Sequence, residues 1–187
     1  CPNMTPDEVD IGRNLLSLAK KHKISHFVYH SVLHPQAEEM PHHWQKMRVE
    51  ELIFCSGLNF TILQPCAYMQ NVTQYWGAIV NEGVYSVPYA TTARISMVDL
   101  EDVAQVAANV LINSNHKGAI YELAGPQALS QDEVAEILTH CIGRRIEVRP
   151  LDRTAWSESA RISGMSDYQR DTLIKMFEYY EKYGLIG

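Results

Sequence analysis

Glycine is thin in this chain and never clustered: of ten glycines in 187 residues, no two lie two positions apart. That excludes the Gly-x-Gly-x-x-Gly loop, whose bare backbone lets helix-start amides approach a pyrophosphate. Nucleoside-triphosphate loops, His-Glu-x-x-His zinc sites and Gly-x-Ser-x-Gly nucleophile elbows are missing too. Positive charge is also scarce, 16 Lys and Arg against 22 Asp and Glu, for a net charge of −6. With no basic stripe to displace phosphate counterions, nucleic acid and an anionic membrane surface are excluded as main partners. No apolar run approaches the roughly 20 residues that cross a bilayer, and the front carries no signal-peptide pattern. The four cysteines (Cys1, Cys55, Cys66, Cys141) form no Cys-x-x-Cys pair. They read as buried, reduced thiols of a cytoplasmic protein.

What is present is a 46% hydrophobic chain, enough for one compact unit with a real core. Thr5-Pro6-Asp7-Glu8 predicts a helix start, with Thr5 as cap and acids at the positive end of the dipole. Val9, Leu15, Leu16, Leu18 and Ala19 form its apolar stripe, and Lys20, Lys21 and Lys23 close it. His26 to Leu33 reads as a strand, His42 to Cys55 as a helix ended by Ser56-Gly57, and Phe60 to Leu63 as a buried strand stopped by Pro65. Ala67 to Val80 is expected to be helical and Gly83 to Val87 extended. Ile95 to Val98 leads into Asp99, a cap for a helix through Leu111. Ala119 to Leu123 is a strand, Ser130 to Glu133 a capping box opening a helix that Gly143 ends, and Ile146 to Val148 a strand. A tyrosine-rich helix from Ser166 to Tyr183 closes the chain. Helices alternating with short strands that lack period-2 patterning predict an open α/β sheet of parallel strands buried on both faces.

Among eight histidines, His22, His26, His30 and His34 recur every four residues. On a helix that spacing stacks ligands, but across a strand four residues span roughly 13 Å. A metal ion with ligand bonds of about 2 Å cannot bridge that distance, so no metal site is expected. The Asn-x-Thr triplets at Asn3, Asn59 and Asn71 fall beside apolar elements and read as coincidence. Asp99 and Asp102 read as a helix cap and a first-turn acid, not a catalytic pair.

The informative stretch contains H-F-V-Y-H-S-V, H-H-W-Q-K-M-R-V-E-E-L-I and S-G-L-N-F-T-I-L-Q-P-C-A-Y-M-Q-N. I-S-M-V-D-L-E-D-V-A, Y-E-L-A-G-P and F-E-Y-Y-E-K-Y-G-L-I-G follow downstream. In this order and spacing the sequence resembles the NmrA-like branch of the atypical short-chain dehydrogenase/reductases over nearly its whole length. The resemblance implies a Rossmann-like parallel sheet with flanking helices, truncated, since the glycine-loop strand and about three strand–helix units of the family precede none of these motifs. Residues 1–125 would be the later part of the NAD(P)-binding domain and 126–187 a small helical, substrate-side region packed on it as one unit.

The same resemblance assigns roles. Lys46 matches the family lysine that contacts the cofactor ribose; as a plain helix lysine it would be solvated. His42 stands one helical turn earlier, where classical members carry the proton-donating tyrosine, so ordinary carbonyl reduction is in question. Ser31, at a strand's carboxyl end, resembles the active-site serine, with a backbone-bonded hydroxyl as the alternative. Pro65, Cys66, Ala67, Tyr68 and Asn71 resemble the segment lining the nicotinamide, against a plain strand-to-helix turn. Tyr29 is read as structural. Trp156, Tyr168, Phe177, Tyr179 and Tyr180 are read as core or subunit packing, with cover over a substrate cleft as the alternative.

Three readings of function stay open. One is an NAD(P)H-dependent reductase of a small carbonyl or quinone, and another a redox sensor that binds NAD or NADP and a regulatory protein without turnover. For the chain by itself, a remnant that binds no dinucleotide tightly and self-associates through an exposed sheet edge or apolar face is expected first.

Overall fold

A computed structural model describes residues 4–187. The readings that fall on Cys1 and on the Asn3 triplet lie outside the described residues. The architecture is α/β, as expected. Three parallel strands, β1 (Phe27–His30), β2 (Phe60–Pro65) and β6 (Ala119–Leu123), form one sheet with β2 at its centre. β1 pairs with β2 from Phe27↔Phe60 to His30↔Leu63, and β2 with β6 from Thr61↔Ala119 to Pro65↔Leu123. Thr61, Ile62 and Leu63 are almost completely buried. Thr61 tolerates this because its hydroxyl donates to the His116 carbonyl at 2.6 Å and meets the His26 ring at 2.8 Å.

Helices α1 (Glu8–Lys21) and α2 (Pro41–Phe54) cover one face of this sheet, where Leu16, Tyr29, Val49, Ile53 and Ile62 make a core cluster. The two helices approach closely at Gly12, where an added Cβ would stand 2.9 Å from a Val49 methyl. Helix α4 (Leu100–Ile112) packs on the opposite face of β1 and β2.

The rest of the chain forms smaller pairings. β3 (Ala67–Tyr68) runs parallel to β5 (Ile95–Val98), and β5 runs antiparallel to β7 (Ala128–Leu129). β4 (Val84–Val87) runs parallel to β8 (Glu147–Pro150). These pairings tie the stretch after Leu123 to the segment following β2. Helices α3 (Trp76–Glu82), α5 (Gln131–Ile142), α6 (Arg153–Ile162) and α7 (Asp167–Tyr183) complete the order.

The structure corrects several local expectations. Ala67 to Val80 is not one helix: β3 gives way to a 3-10 segment over Met69–Tyr75 before α3 begins. Pairing of Ala67 and Tyr68 with Met97 and Val98 outweighs local helix preference there. Thr5 does not cap α1; Asp7 occupies the cap, and Thr5 accepts its amide at 3.3 Å. The buried face of α1 is Glu8, Gly12, Leu16 and Ala19, whereas Leu15 and Leu18 are exposed. Helix α6 adds to the expected elements, with Asp152 capping it by accepting from the Ala155 amide at 2.9 Å. The Asp99 cap and the Ser130 capping box stand where expected. Among the described residues no helix is long and apolar enough to cross a membrane.

Candidate functional site at the carboxyl ends of the strands

Open α/β sheets gather ligands outside the carboxyl ends of their strands. Here that end is made by His30 and Ser31 after β1, Pro65 to Tyr68 after β2, and the start of α2. Successive strand side chains alternate faces. Tyr29 and Ser31 therefore meet groups from α1 and α2, while His30 turns the other way and meets Tyr68.

The inner face holds two buried carboxylates. Glu8, in the first turn of α1, is fully buried, and its Oε1 lies 2.5 Å from Lys46 Nζ. The Tyr29 hydroxyl donates to the same oxygen at 3.4 Å, and the ammonium sits 5.2 Å over the Tyr29 ring. His42 Nδ1 stands 3.6 Å from Glu8 Oε2, too far for a hydrogen bond, and neither atom has another partner. Burial pushes the Glu8 carboxyl upward, but the neighbouring His42 and the contact and charge of Lys46 outweigh it, leaving the pKa below the usual value. The second carboxylate, Glu50, accepts from Ser31 Oγ and, at 3.0 Å on each oxygen, from Gln64 Nε2. Burial holds its pKa above the ordinary range despite these donors. The Tyr29 phenol is raised by burial and then by the Glu8 charge.

On the outer face His30 is exposed, and its Nε2 lies 2.7 Å from the hydroxyl of half-buried Tyr68, the rings edge to face. Burial of part of the ring and the nearby Lys46 ammonium depress the His30 pKa. Lys46 links the two faces by donating to the His30 carbonyl at 3.4 Å. Pro65 and Leu123 are the last paired residues of β2 and β6, and the Cys66 amide donates to the Leu123 carbonyl at 3.0 Å. Burial pushes the Cys66 thiol up to about 11, so it stays protonated. Asn71 lies in the 3-10 segment and is exposed. That segment is pinned by Gln70, which donates to Asp99 at 2.8 Å and accepts from the Leu100 amide at 3.1 Å.

The structure thus brings Ser31, His42 and Lys46 together beneath the strand ends, each facing a carboxylate, and sets half-buried Ala67 and Tyr68 at the rim with Pro65 and Cys66 buried behind them. Sequence reasoning missed Glu8, Glu50, Gln64 and His30. Glu8 could have been found, because it heads the i, i+4, i+8 row with Gly12 and Leu16 on α1. Glu50 likewise follows Lys46 by four residues on α2. The histidine series does not converge: His26 binds Thr61, His30 binds Tyr68, and His34 offers its carbonyl to His43 at 3.3 Å. Among the described residues no group of three or more His, Cys, Asp or Glu could hold a metal ion. Of the terminal aromatics Tyr180 is buried, whereas Trp156, Tyr168, Phe177 and Tyr179 are half-buried, Trp156 meeting Phe177 edge to face at 4.9 Å.

The donor set suits the ring end of a nicotinamide nucleotide. Half-buried Ala67 and Tyr68 offer a flat contact, and the Lys46 cation lies one carbonyl behind the rim. No described residue supplies a glycine-rich seat for the diphosphate.

Comparison with known proteins agrees with this reading of the fold. The profile of the NmrA-like family matches residues 3–187. The NAD(P)H azoreductase of Xenophilus azovorans is 28% identical over 179 residues, covering 93% of this chain and 61% of that protein. Quinone oxidoreductase 2 of Escherichia coli (strain K12) is 26% identical over 161 residues, covering 86% of this chain and 56% of that protein. A crystal structure of the NADPH-dependent quinone oxidoreductase QOR2 from Escherichia coli, complexed with NADPH, superposes with a TM-score of 0.85. That match has 24% identity and covers all of this chain and 65% of the other. The chain therefore spans about six-tenths of the length of these relatives.

Proposed function

The chain belongs to the NmrA-like family, and from that premise we propose that it forms the acceptor-side part of an NAD(P)H-dependent reductase of flat, conjugated molecules such as quinones. The observation carrying this reading is the open rim at the strand ends, where exposed His30 meets the half-buried aromatic face of Tyr68. The printed activities of the relatives, azo and quinone reduction, are of the same acceptor class. When bound, the nicotinamide supplies a hydride; Pro65, Cys66, Ala67, Tyr68 and Asn71 would border its ring. Lys46, held by Glu8, places positive charge behind the His30 carbonyl and favours negative charge developing at the rim. Ser31 and His42 support the rim from beneath, Ser31 through Glu50 and His42 beside Glu8.

Because these 187 residues contain no glycine-rich loop, they alone do not hold the dinucleotide tightly. Calorimetric titration with NADPH tests this on the chain and on the complete gene product side by side. The chain should give no saturable heat and the complete gene product a saturable binding curve, with NADPH oxidation when a benzoquinone is added. Saturable NADPH uptake by the chain would remove the first statement. Failure of the complete gene product to oxidise NADPH with any of a quinone panel would remove the second.

One observation favours a second reading, a nucleotide-responsive regulator: His42, where classical dehydrogenases carry tyrosine, is buried against Glu8 and presents nothing to a substrate. Affinity for a protein partner that ignores NADPH would exclude it.

A further inference from the structure

The His30–Tyr68 pair is not required by the fold. The two residues are 38 positions apart on different strands, at the edge of the molecule, where water would satisfy both polar groups. A hydrogen bond of this kind contributes about 1 kcal/mol or less. The backbone beneath each side chain is nevertheless held. The His30 carbonyl accepts from Lys46 and its neighbour's amide, Ser31 N, donates to the Leu63 carbonyl at 2.7 Å. Tyr68 is fixed by the pairing of β3 with β5. The result is a phenol and an imidazole in line, one end at the strand termini where a ligand would lie and the other open to solvent.

Resting on the reductase reading, we propose that Tyr68 is the proton donor to the reduced acceptor and that His30 relays the replacement proton from water. A quinone that accepts a hydride from NAD(P)H gains two electrons and one proton and is left as a hydroquinone anion. Its oxygen forms a bond to the Tyr68 hydroxyl proton as the phenol O–H breaks. The resulting tyrosinate oxygen takes the Nε2 proton of His30, and His30 takes a proton from water at Nδ1. One hydride and one solvent proton are consumed, and the phenol is restored; the imidazole has changed tautomer and returns to its starting form by exchange with water. Burial and the phenol's neighbourhood keep Tyr68 protonated between turnovers. The depressed basicity of His30 keeps the ring neutral near pH 7, the form that can pass a proton without first losing one.

The test uses the complete gene product, with NADPH and a water-soluble benzoquinone, and three proteins: wild type, Tyr68→Phe and His30→Ala. Tyr68→Phe keeps the ring and should lower kcat about 100-fold, with NADPH affinity within about twofold of wild type. His30→Ala should lose a comparable share, and added imidazole should restore much of it, because the vacated position faces solvent. Nitrogen-15 NMR of His30 in this chain supplies a readout independent of turnover. Wild type should hold the Nε2–H tautomer more completely than a solvated histidine does, and Tyr68→Phe should relax His30 to the ordinary solvated mixture. Wild-type turnover with both variants as fast as wild type overturns the relay and leaves the reductase reading intact. Absence of turnover in wild type overturns both. An Nδ1–H tautomer for His30 in wild type, unchanged by Tyr68→Phe, overturns the relay whatever the rates.

Discussion

Neighbouring residues at the end of β1 live in opposite surroundings. Tyr29 and Ser31 face a buried layer in which their two hydroxyls, the Gln64 amide and the Lys46 ammonium all reach Glu8 or Glu50. His30, between them, faces outward with a single phenol partner and open solvent. The inner layer is a structural network whose members cannot be removed singly without stranding a charge. On the outer rim, by contrast, groups can exchange protons with whatever binds there. Substitutions should therefore separate: inner ones cost mainly stability, outer ones mainly rate.

The sharpest break in that contrast is Glu8→Ala. It leaves the Lys46 ammonium buried without its counter-ion and should cost about 3–5 kcal/mol in urea unfolding. The double change Glu8→Met with Lys46→Met should recover most of the loss, since a buried pair is replaceable by apolar groups of similar size. If Glu8→Ala unfolds like wild type, the inner layer is not a charge network.

Acid comes next. The buried His43 has its pKa lowered to about 4 by burial and then by the His42 charge. In the unfolded chain it returns to about 6.5. A depressed folded pKa means stability is fully present above about pH 6.5 and is lost as pH falls toward 4, because the unfolded state binds the proton first. The loss should reach roughly 3 kcal/mol near pH 4. Glu50, with a raised pKa, works in the opposite sense, since the folded state takes up its proton first as pH falls toward the ordinary glutamate range. His43→Gln should flatten the stability profile between about pH 6.5 and 5, where carboxylates of unfolded chains are still ionised. An unchanged slope in that variant would show that His43 is not the titrating group.

Ser31→Ala removes one of the donors to Glu50 and leaves Gln64 in place, so its cost should be about 1–3 kcal/mol. Tyr68→Phe stands at the end of the series, with a stability change below about 1 kcal/mol. It is the most informative of the four for function, because the same variant should lose most of its turnover.

The sequence told much of the fold and less of the site, for reasons that particular residues make plain. Caps such as Asp99 and Ser130 are local and were legible, as was the parallel sheet from its unalternating strands. The break of the Ala67–Val80 segment was not, because it depends on pairing with Met97 and Val98 some thirty positions away. At the site, spacing placed Lys46 and His42 on one face of α2, but nothing local announced that a carboxylate from α1 would meet them. Glu8 carries the same signature as any first-turn acid until its row with Gly12 and Leu16 is seen to face inward. His30 was obscured by its regular neighbours: of the four only His30 lies in β1, and its partner Tyr68 stands 38 positions away.

A single-turnover experiment bears most directly on the reductase reading: the complete gene product is loaded with NADPH, mixed with a benzoquinone, and the reduced nicotinamide absorbance followed. The absorbance should decay in one phase whose rate rises with quinone concentration and falls about 100-fold in Tyr68→Phe. NADPH that binds saturably yet stays reduced in the presence of every quinone tried would contradict the account.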